Sequence, residues 1–68
     1  MDSKEFARRA KRYAHKTGQA FLLQPSRGKG SHARLWIGER FTTLPRGEIK
    51  PGLYAALLKQ LDIDKSEF

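Results

Sequence analysis

The chain has 68 residues, a net charge of +7 and no cysteine. A chain this short buries only about 60% of its unfolded surface, which excludes a second domain, and the absence of cysteine excludes a disulfide framework, a cysteine-based zinc or iron–sulfur site and a cysteine nucleophile. Because no apolar run reaches the ~20 residues of a membrane span and the first residues lack signal-peptide features, the sequence predicts one soluble, intracellular domain over residues 1–68.

The first predicted element is an amphipathic helix over residues 3–16. Phe6, Ala10 and Tyr13 recur at helical spacing, and Thr17 continues the same line. Lysines and arginines fill the remaining faces of this helix. The pattern therefore predicts one buried stripe on a strongly cationic helix.

Capping residues stand at both ends of this helix. Asp2 or Ser3 can cap its start, and Asp2 with Glu5 has the spacing of a capping box. Gly18 follows the last periodic residue, where a left-handed backbone commonly ends a helix. These residues predict the same boundaries as the apolar stripe.

Three short strands are predicted next. Residues 19–24 form an apolar run that Pro25 ends. Residues 32–37 alternate between polar and apolar side chains, and residues 40–44 follow after only two residues. The first of these two is Gly38, which suits a two-residue hairpin with glycine at its first central position.

A second helix is predicted to begin at Pro51, and the chain from Asp62 onward is predicted to be a fraying acidic tail. The helix carries a predicted apolar stripe of Leu53, Ala56, Leu57 and Leu61. The order α-β-β-β-α predicts an α+β fold, with two helices on one face of a three-stranded antiparallel sheet and the other face open.

The hairpin register predicts which side chains share the open face. Pairing of Ile37 with Arg40 places Trp36 opposite Phe41, and gives the core Ala33, Leu35 and Ile37. The other face then carries His32, Arg34, Trp36, Phe41 and Thr43. Trp36 and Phe41 would form a platform for stacked bases, worth ~1–3 kcal/mol per base. Alternatively both aromatic side chains belong to the core, because a slip of one residue exchanges the two faces.

A glycine-rich loop over residues 25–31 precedes His32. Its amides and cations could hold an anion, or the loop is an ordinary turn. Cleavage of RNA by acid–base catalysis needs a base for the 2′-hydroxyl, a proton for the leaving 5′ oxygen and cations for the phosphorane. His32 supplies the titrating group, and Arg27, Lys29 and Arg34 supply the cations. The alternative is a surface histidine at the end of a strand.

Two further features bear on ligands. The other histidine, His15, is predicted to be structural in the last turn of the first helix, and no metal site is predicted because zinc needs three or four ligands. Residues 1–50 hold twelve lysines and arginines and four acidic residues. Residues 51–68 hold only two lysines and three acidic residues. A basic surface over residues 1–50 fits nucleic acid, although such a surface also merely solubilises many small domains.

Several motifs resemble the HicA toxin family, the small mRNA interferases of HicA–HicB toxin–antitoxin pairs. They are Gly-Lys-Gly-Ser-His at 28–32, Thr-Thr-Leu-Pro at 42–45, Glu-Ile-Lys-Pro-Gly-Leu at 48–53 and Leu-Leu-Lys-Gln-Leu at 57–61. The resemblance covers nearly the whole chain and implies a fold like that of double-stranded-RNA-binding domains, in the same element order. It also implies a cytoplasmic endoribonuclease that needs no metal or cofactor, inhibits translation by cleaving mRNA, and is neutralised by a HicB-like antitoxin.

The resemblance assigns catalysis to His32 alone. The RNA-binding residues that we predict are Arg27, Lys29, Gly30, Ser31, Arg34 and Trp36. A non-catalytic RNA-binding module of the same fold is the alternative function. A small basic adaptor between proteins has only the net charge in its favour.

Overall fold

The structure, a computed structural model, describes residues 1–25 and 32–68. Three strands form one antiparallel sheet in which each strand pairs with its neighbour along the chain, and two helices cover one face of this sheet. The α+β prediction is confirmed. Within the described part of the chain, no helix is long and apolar enough to cross a membrane. The elements are α1 (Ser3–Lys16), β1 (Phe21–Gln24), β2 (Ala33–Ile37), β3 (Arg40–Leu44), α2 (Pro51–Gln60) and a short 3₁₀ helix, η1 (Lys65–Glu67).

The core lies between the sheet and the helices. From α1 it receives the predicted Phe6, Ala10 and Tyr13, which are all buried. Leu35 and Ile37 of β2 are also buried, on the same side of the sheet because alternate residues of a strand share a face. The predicted core face of the hairpin is therefore confirmed.

The hairpin of β2 and β3 has the predicted register. Ile37 pairs with Arg40, and Trp36 pairs with Phe41. Gly38 has φ +60°, the left-handed value that the first central position of this turn requires. The turn and the alternation of side chains thus specify the same pairing.

The start of α1 differs from the predicted capping box. Asp2 is the N-cap residue, but its side chain makes no capping hydrogen bond. Its backbone instead forms an isolated antiparallel bridge with Glu48. Glu5 forms an ion pair with Arg9, with nitrogen and oxygen 3.4 Å apart. The capping-box prediction is wrong because the backbone bridge fixes Asp2 and the Glu5 carboxylate pairs along the helix.

The end of α1 follows the prediction for Gly18. Its φ is +70°, its N–H donates to the His15 carbonyl at 3.2 Å, and the Gln19 N–H donates to the Ala14 carbonyl at 2.8 Å. This pair of bonds is a Schellman motif. Thr17, which was predicted to continue the apolar stripe, is exposed, and its hydroxyl donates to a carbonyl of the preceding turn.

The end of α2 has the same motif without a glycine. Asp62 has φ 56°, and its N–H donates to the Lys59 carbonyl at 3.2 Å. The Ile63 N–H donates to the Leu58 carbonyl at 2.9 Å, and both of these side chains are buried. Such an apolar contact commonly accompanies a Schellman motif. The chain is therefore held in place directly after Asp62.

The last residues pack against the core, so the prediction of a fraying tail is wrong. The ring centroid of Phe68 lies 5.1 Å from that of Phe6 and 6.1 Å from that of Tyr54. Asp64 caps η1 by accepting a hydrogen bond from the Ser66 N–H at 3.0 Å. Hydrogen bonds from the hydroxyl and backbone of Ser66 lower the pKa of the Asp64 carboxyl. Aromatic contacts and this cap order the segment, despite its acidic composition.

The apolar stripe of α2 is rotated from the predicted one. Leu57 and Leu61 are buried as expected, but Leu53 and Ala56 are exposed and Leu58 is buried instead. Residues 53–58 are all apolar or aromatic, so the sequence pattern does not single out one face of this helix. The choice is made by packing, because the Tyr54 ring stands edge-on to Phe6 in the core.

The substitution Asp62→Gly should raise the free energy of unfolding by about 0.5–1 kcal/mol. Glycine adopts a positive φ without the steric clash that a Cβ atom causes there. Urea denaturation measures the change. Asp62→Ala is the control, since it removes the carboxylate that lies 3.9 Å from Arg40 but keeps a Cβ. Equal stability of the glycine variant and the wild type would contradict this account of the helix end.

Candidate nucleic-acid interface

The sheet face turned away from the helices carries two rows of side chains. β1 pairs with β2 so that Leu22 lies opposite Trp36, and Phe41 lies opposite Trp36 on the other side. Leu22 and Phe41 are 51% and 46% exposed. The second row consists of Gln24, Arg34 and Thr43. We call these six residues the open face, and the prediction that Trp36 and Phe41 lie on it is confirmed.

Backbone geometry explains why Trp36 and Phe41 meet. The Gly38 N–H donates to the Ala20 carbonyl at 2.8 Å, so Leu22–Trp36 is the next hydrogen-bonded pair in the alternating ladder. The N–H and C=O groups of Trp36 then point to β1 and not to β3. Trp36 and Phe41 are therefore a non-hydrogen-bonded pair. Side chains approach more closely in such pairs. The two rings stack, with centroids 4.7 Å apart and planes inclined by 29°.

Two polar side chains flank this aromatic stack. The guanidinium carbon of Arg34 lies 5.6 Å from the centroid of the Phe41 ring, within cation–π range. The indole N–H of Trp36 donates to the side-chain oxygen of Gln24 at 3.4 Å. The open face contains no acidic residue. Each ring therefore already has a partner, and a base would add to the outside of the stack rather than insert into it.

His32 is exposed and lies one residue before β2, two residues before Arg34. By sequence position His32 continues the alternation of Arg34 and Trp36, but it lies outside the paired residues of β2. Exposure fits a group that exchanges protons with a substrate, and it fits a surface histidine equally well. Four predicted RNA-binding residues lie outside the described residues: Arg27, Lys29, Gly30 and Ser31.

The cations of α1 form a separate surface. Its apolar side faces the core, so its exposed side points away from the sheet and away from the open face. Lys11 and Arg12 are exposed, and neither of them takes part in an ion pair between described residues. Among the described residues, the cations of the predicted basic surface over residues 1–50 therefore do not form one continuous surface.

The remaining ligand predictions concern histidine and metals. His15 is exposed in the last turn of α1, outside the core, and its carbonyl contributes to the helix end. Among residues 1–25 and 32–68, the structure brings together no group of three histidine, aspartate and glutamate side chains that could hold a metal ion.

Sequence reasoning missed Leu22 and Gln24, which complete the open face. The run over residues 19–24 has no clear alternation, so it does not show which side chains turn to the core. The observed strand is also shorter, Phe21–Gln24. The register of β1 is decided by pairing with β2 across residues 25–32, and no local signal encodes it.

No protein-family model, curated protein or solved structure matches this chain. The interpretation as a HicA-type protein therefore depends on the motif residues and on the order of the elements.

Proposed function

We propose that the protein is an endoribonuclease that needs no metal and cleaves mRNA through His32, as the toxin of a HicA-type toxin–antitoxin pair in the cytoplasm. The observation that carries the proposal is the exposed His32, two residues from Arg34, at the start of a strand whose open face is cationic and aromatic. The net charge of +7 favours a polyanionic substrate. We also propose that its α+β fold is like that of double-stranded-RNA-binding domains.

In the proposed reaction, His32 accepts the proton of a 2′-hydroxyl, and the oxygen attacks the neighbouring phosphorus. The bond to the 5′ oxygen breaks, and that oxygen receives a proton, which leaves a cyclic phosphate and a free 5′-hydroxyl. Arg34 stabilises the added negative charge of the phosphorane. A single histidine either performs both transfers in succession or shares them with Lys29 or water.

The proposed partner is a HicB-like antitoxin that blocks access of RNA to His32. The cationic surface supports this because acidic groups on a partner would speed association, with a rate that falls as salt is added. An antitoxin gene next to the gene for this chain would favour the proposal.

A non-catalytic RNA-binding module is the second candidate. The stack of Trp36 and Phe41 beside Arg34, together with the α1 cations, supports binding without requiring any chemistry. Incubation of RNA with the protein in EDTA separates the two functions. Cleavage products in EDTA support the nuclease, whereas intact RNA with retarded electrophoretic mobility supports the module.

The double variant Lys11→Gln/Arg12→Gln should weaken RNA binding and its dependence on salt. Each lost phosphate contact should reduce the slope of log affinity against log salt by about 0.7 on single-stranded RNA. Lys59→Gln/Lys65→Gln is the control, since it removes two cations from the region that lacks a positive excess. Fluorescence anisotropy at several salt concentrations gives both slopes. Identical slopes for the two double variants would show that α1 does not contact the RNA.

A further inference from the structure

We infer that the outer edge of β1 is a docking site for an extended segment of a partner protein that carries apolar and acidic side chains. The inference does not depend on the proposed nuclease activity. It combines three features of the edge: outward backbone groups, exposed leucines on both faces, and a cationic groove beside it.

The outward backbone groups follow from the ladder between β1 and β2. Hydrogen-bonded pairs alternate along antiparallel strands, and Leu22–Trp36 is such a pair. The N–H and C=O groups of Phe21 and Leu23 therefore point away from β2. Among the described residues, β1 pairs only with β2, and no backbone hydrogen bond outside that ladder involves these two residues. An added strand would find these polar groups ready to pair.

The side chains of β1 do not protect this edge. Leu22 is 51% exposed on the open face, and Leu23 is 39% exposed on the opposite face. Edge strands are commonly shielded by lysine, proline or inward-pointing charge. Phe21–Gln24 contains no charged residue, and Pro25 stands only after its end. An added strand would cover apolar surface with side chains on both of its faces.

A groove beside Leu23 supplies the charge preference. It has a volume of about 210 Å³ and is lined by the partly exposed Leu23, the buried Leu44 and two exposed cations, Lys4 and Arg46. No acidic residue is among the described residues that line it. Leu44 belongs to β3, two strands from β1, so a strand added at the outer edge of β1 would meet this groove at Leu23 and Lys4. An apolar side chain of that strand would pack on Leu23, and a neighbouring carboxylate would meet Lys4. Acidic and apolar residues in one extended segment match both features.

The charge argues against the other occupants of this edge. A second copy of the chain would bring together two molecules that each carry +7. RNA would satisfy the cations, but it has no strand of alternating amides and carbonyls to pair with Phe21 and Leu23. An acidic polypeptide would neutralise the cations and also form hydrogen bonds with the outward backbone groups of Phe21 and Leu23.

The test uses the full chain and two fluorescent ten-residue peptides, one alternating valine with glutamate and the other alternating valine with lysine. We expect the glutamate peptide to bind and the lysine peptide to bind at least tenfold more weakly. In hydrogen exchange followed by NMR, the glutamate peptide should slow the amides of Phe21 and Leu23. The Leu22 amide should change little, because it already donates to β2.

Two variants have matched controls. Leu23→Lys should weaken binding of the glutamate peptide at least tenfold, whereas Leu53→Lys, at a leucine of nearly equal exposure (40%) on α2, should not. Lys4→Glu should also weaken it, whereas Lys11→Glu makes the same charge change farther along α1 and should have little effect. The exchange measurement on the wild type remains decisive if Leu23→Lys does not fold.

Four results would overturn the inference. They are absence of binding at 1 mM peptide, protection confined to the open face, concentration-dependent dimerisation that protects the β1 amides without peptide, and protection of those amides by a short RNA. The third would make a second copy the occupant, and the fourth would make RNA the occupant.

Discussion

Replacing His32→Ala should lower the rate of RNA cleavage by about 10²–10⁴-fold, because general acid–base catalysis contributes that much and the one other histidine, His15, lies on α1. Because the side chain of His32 is exposed, it contributes few packing contacts, and the free energy of unfolding should change by less than about 0.5 kcal/mol. RNA affinity should also change little, because the cations and the aromatic stack remain. The measurements are cleavage rate, RNA affinity and thermal stability on one preparation.

His15→Ala is the matched control, since it removes the other histidine from an exposed position on α1. Its cleavage rate should equal that of the wild type. A folded His32→Ala protein that cleaves RNA at the wild-type rate would remove His32 from the mechanism. An unfolded one would assign this histidine a structural role.

Replacing Phe6→Ala should destabilise the protein by about 3–5 kcal/mol, the usual cost of removing a buried phenylalanine. Phe6 has no exposed surface, and its ring contacts Tyr54 and Phe68. A domain of this size has a total stability of roughly 3–10 kcal/mol. The variant should therefore lose about a third or more of its folding free energy and unfold at a much lower urea concentration than the wild type.

Phe41→Ala makes the same chemical change on the open face, where the ring is 46% exposed. It should lower the free energy of unfolding by less than about 1.5 kcal/mol, because the main interaction that it removes is the stacking of Phe41 on Trp36. Urea denaturation of both variants measures the difference. Comparable destabilisation by the two substitutions would contradict the assignment of the two faces of the sheet.

The parts of the fold that the sequence predicted are those with strong local signals. Phe6, Ala10 and Tyr13 mark one face of α1, and Gly18 ends the helix, so its bounds agree with the structure. In the hairpin, two independent signals agree, because the turn at Gly38 and the alternation along β2 require the same register. The placement of Trp36 on the open face follows from that register.

The remaining features depend on contacts between distant parts of the chain. The face that α2 buries is chosen by Tyr54 against Phe6, and the apolar run in its sequence does not reveal this choice. Asp62 ends α2 in a conformation that sequence patterns associate with glycine. For the candidate site, the sequence predicted the grouping of Arg34 and Trp36 but not the contribution of β1. The role of His32 in catalysis stays a prediction.

The bridge between Asp2 and Glu48 has a consequence for the order of folding. Each strand of the sheet pairs with its neighbour along the chain, whereas this bridge joins positions 46 residues apart. Because the entropy lost on closing a loop grows with its length, the local hairpin should form before the bridge. A contact that forms after the transition state affects the unfolding rate rather than the folding rate. The bridge would then lower the unfolding rate of the protein and leave its folding rate nearly unchanged.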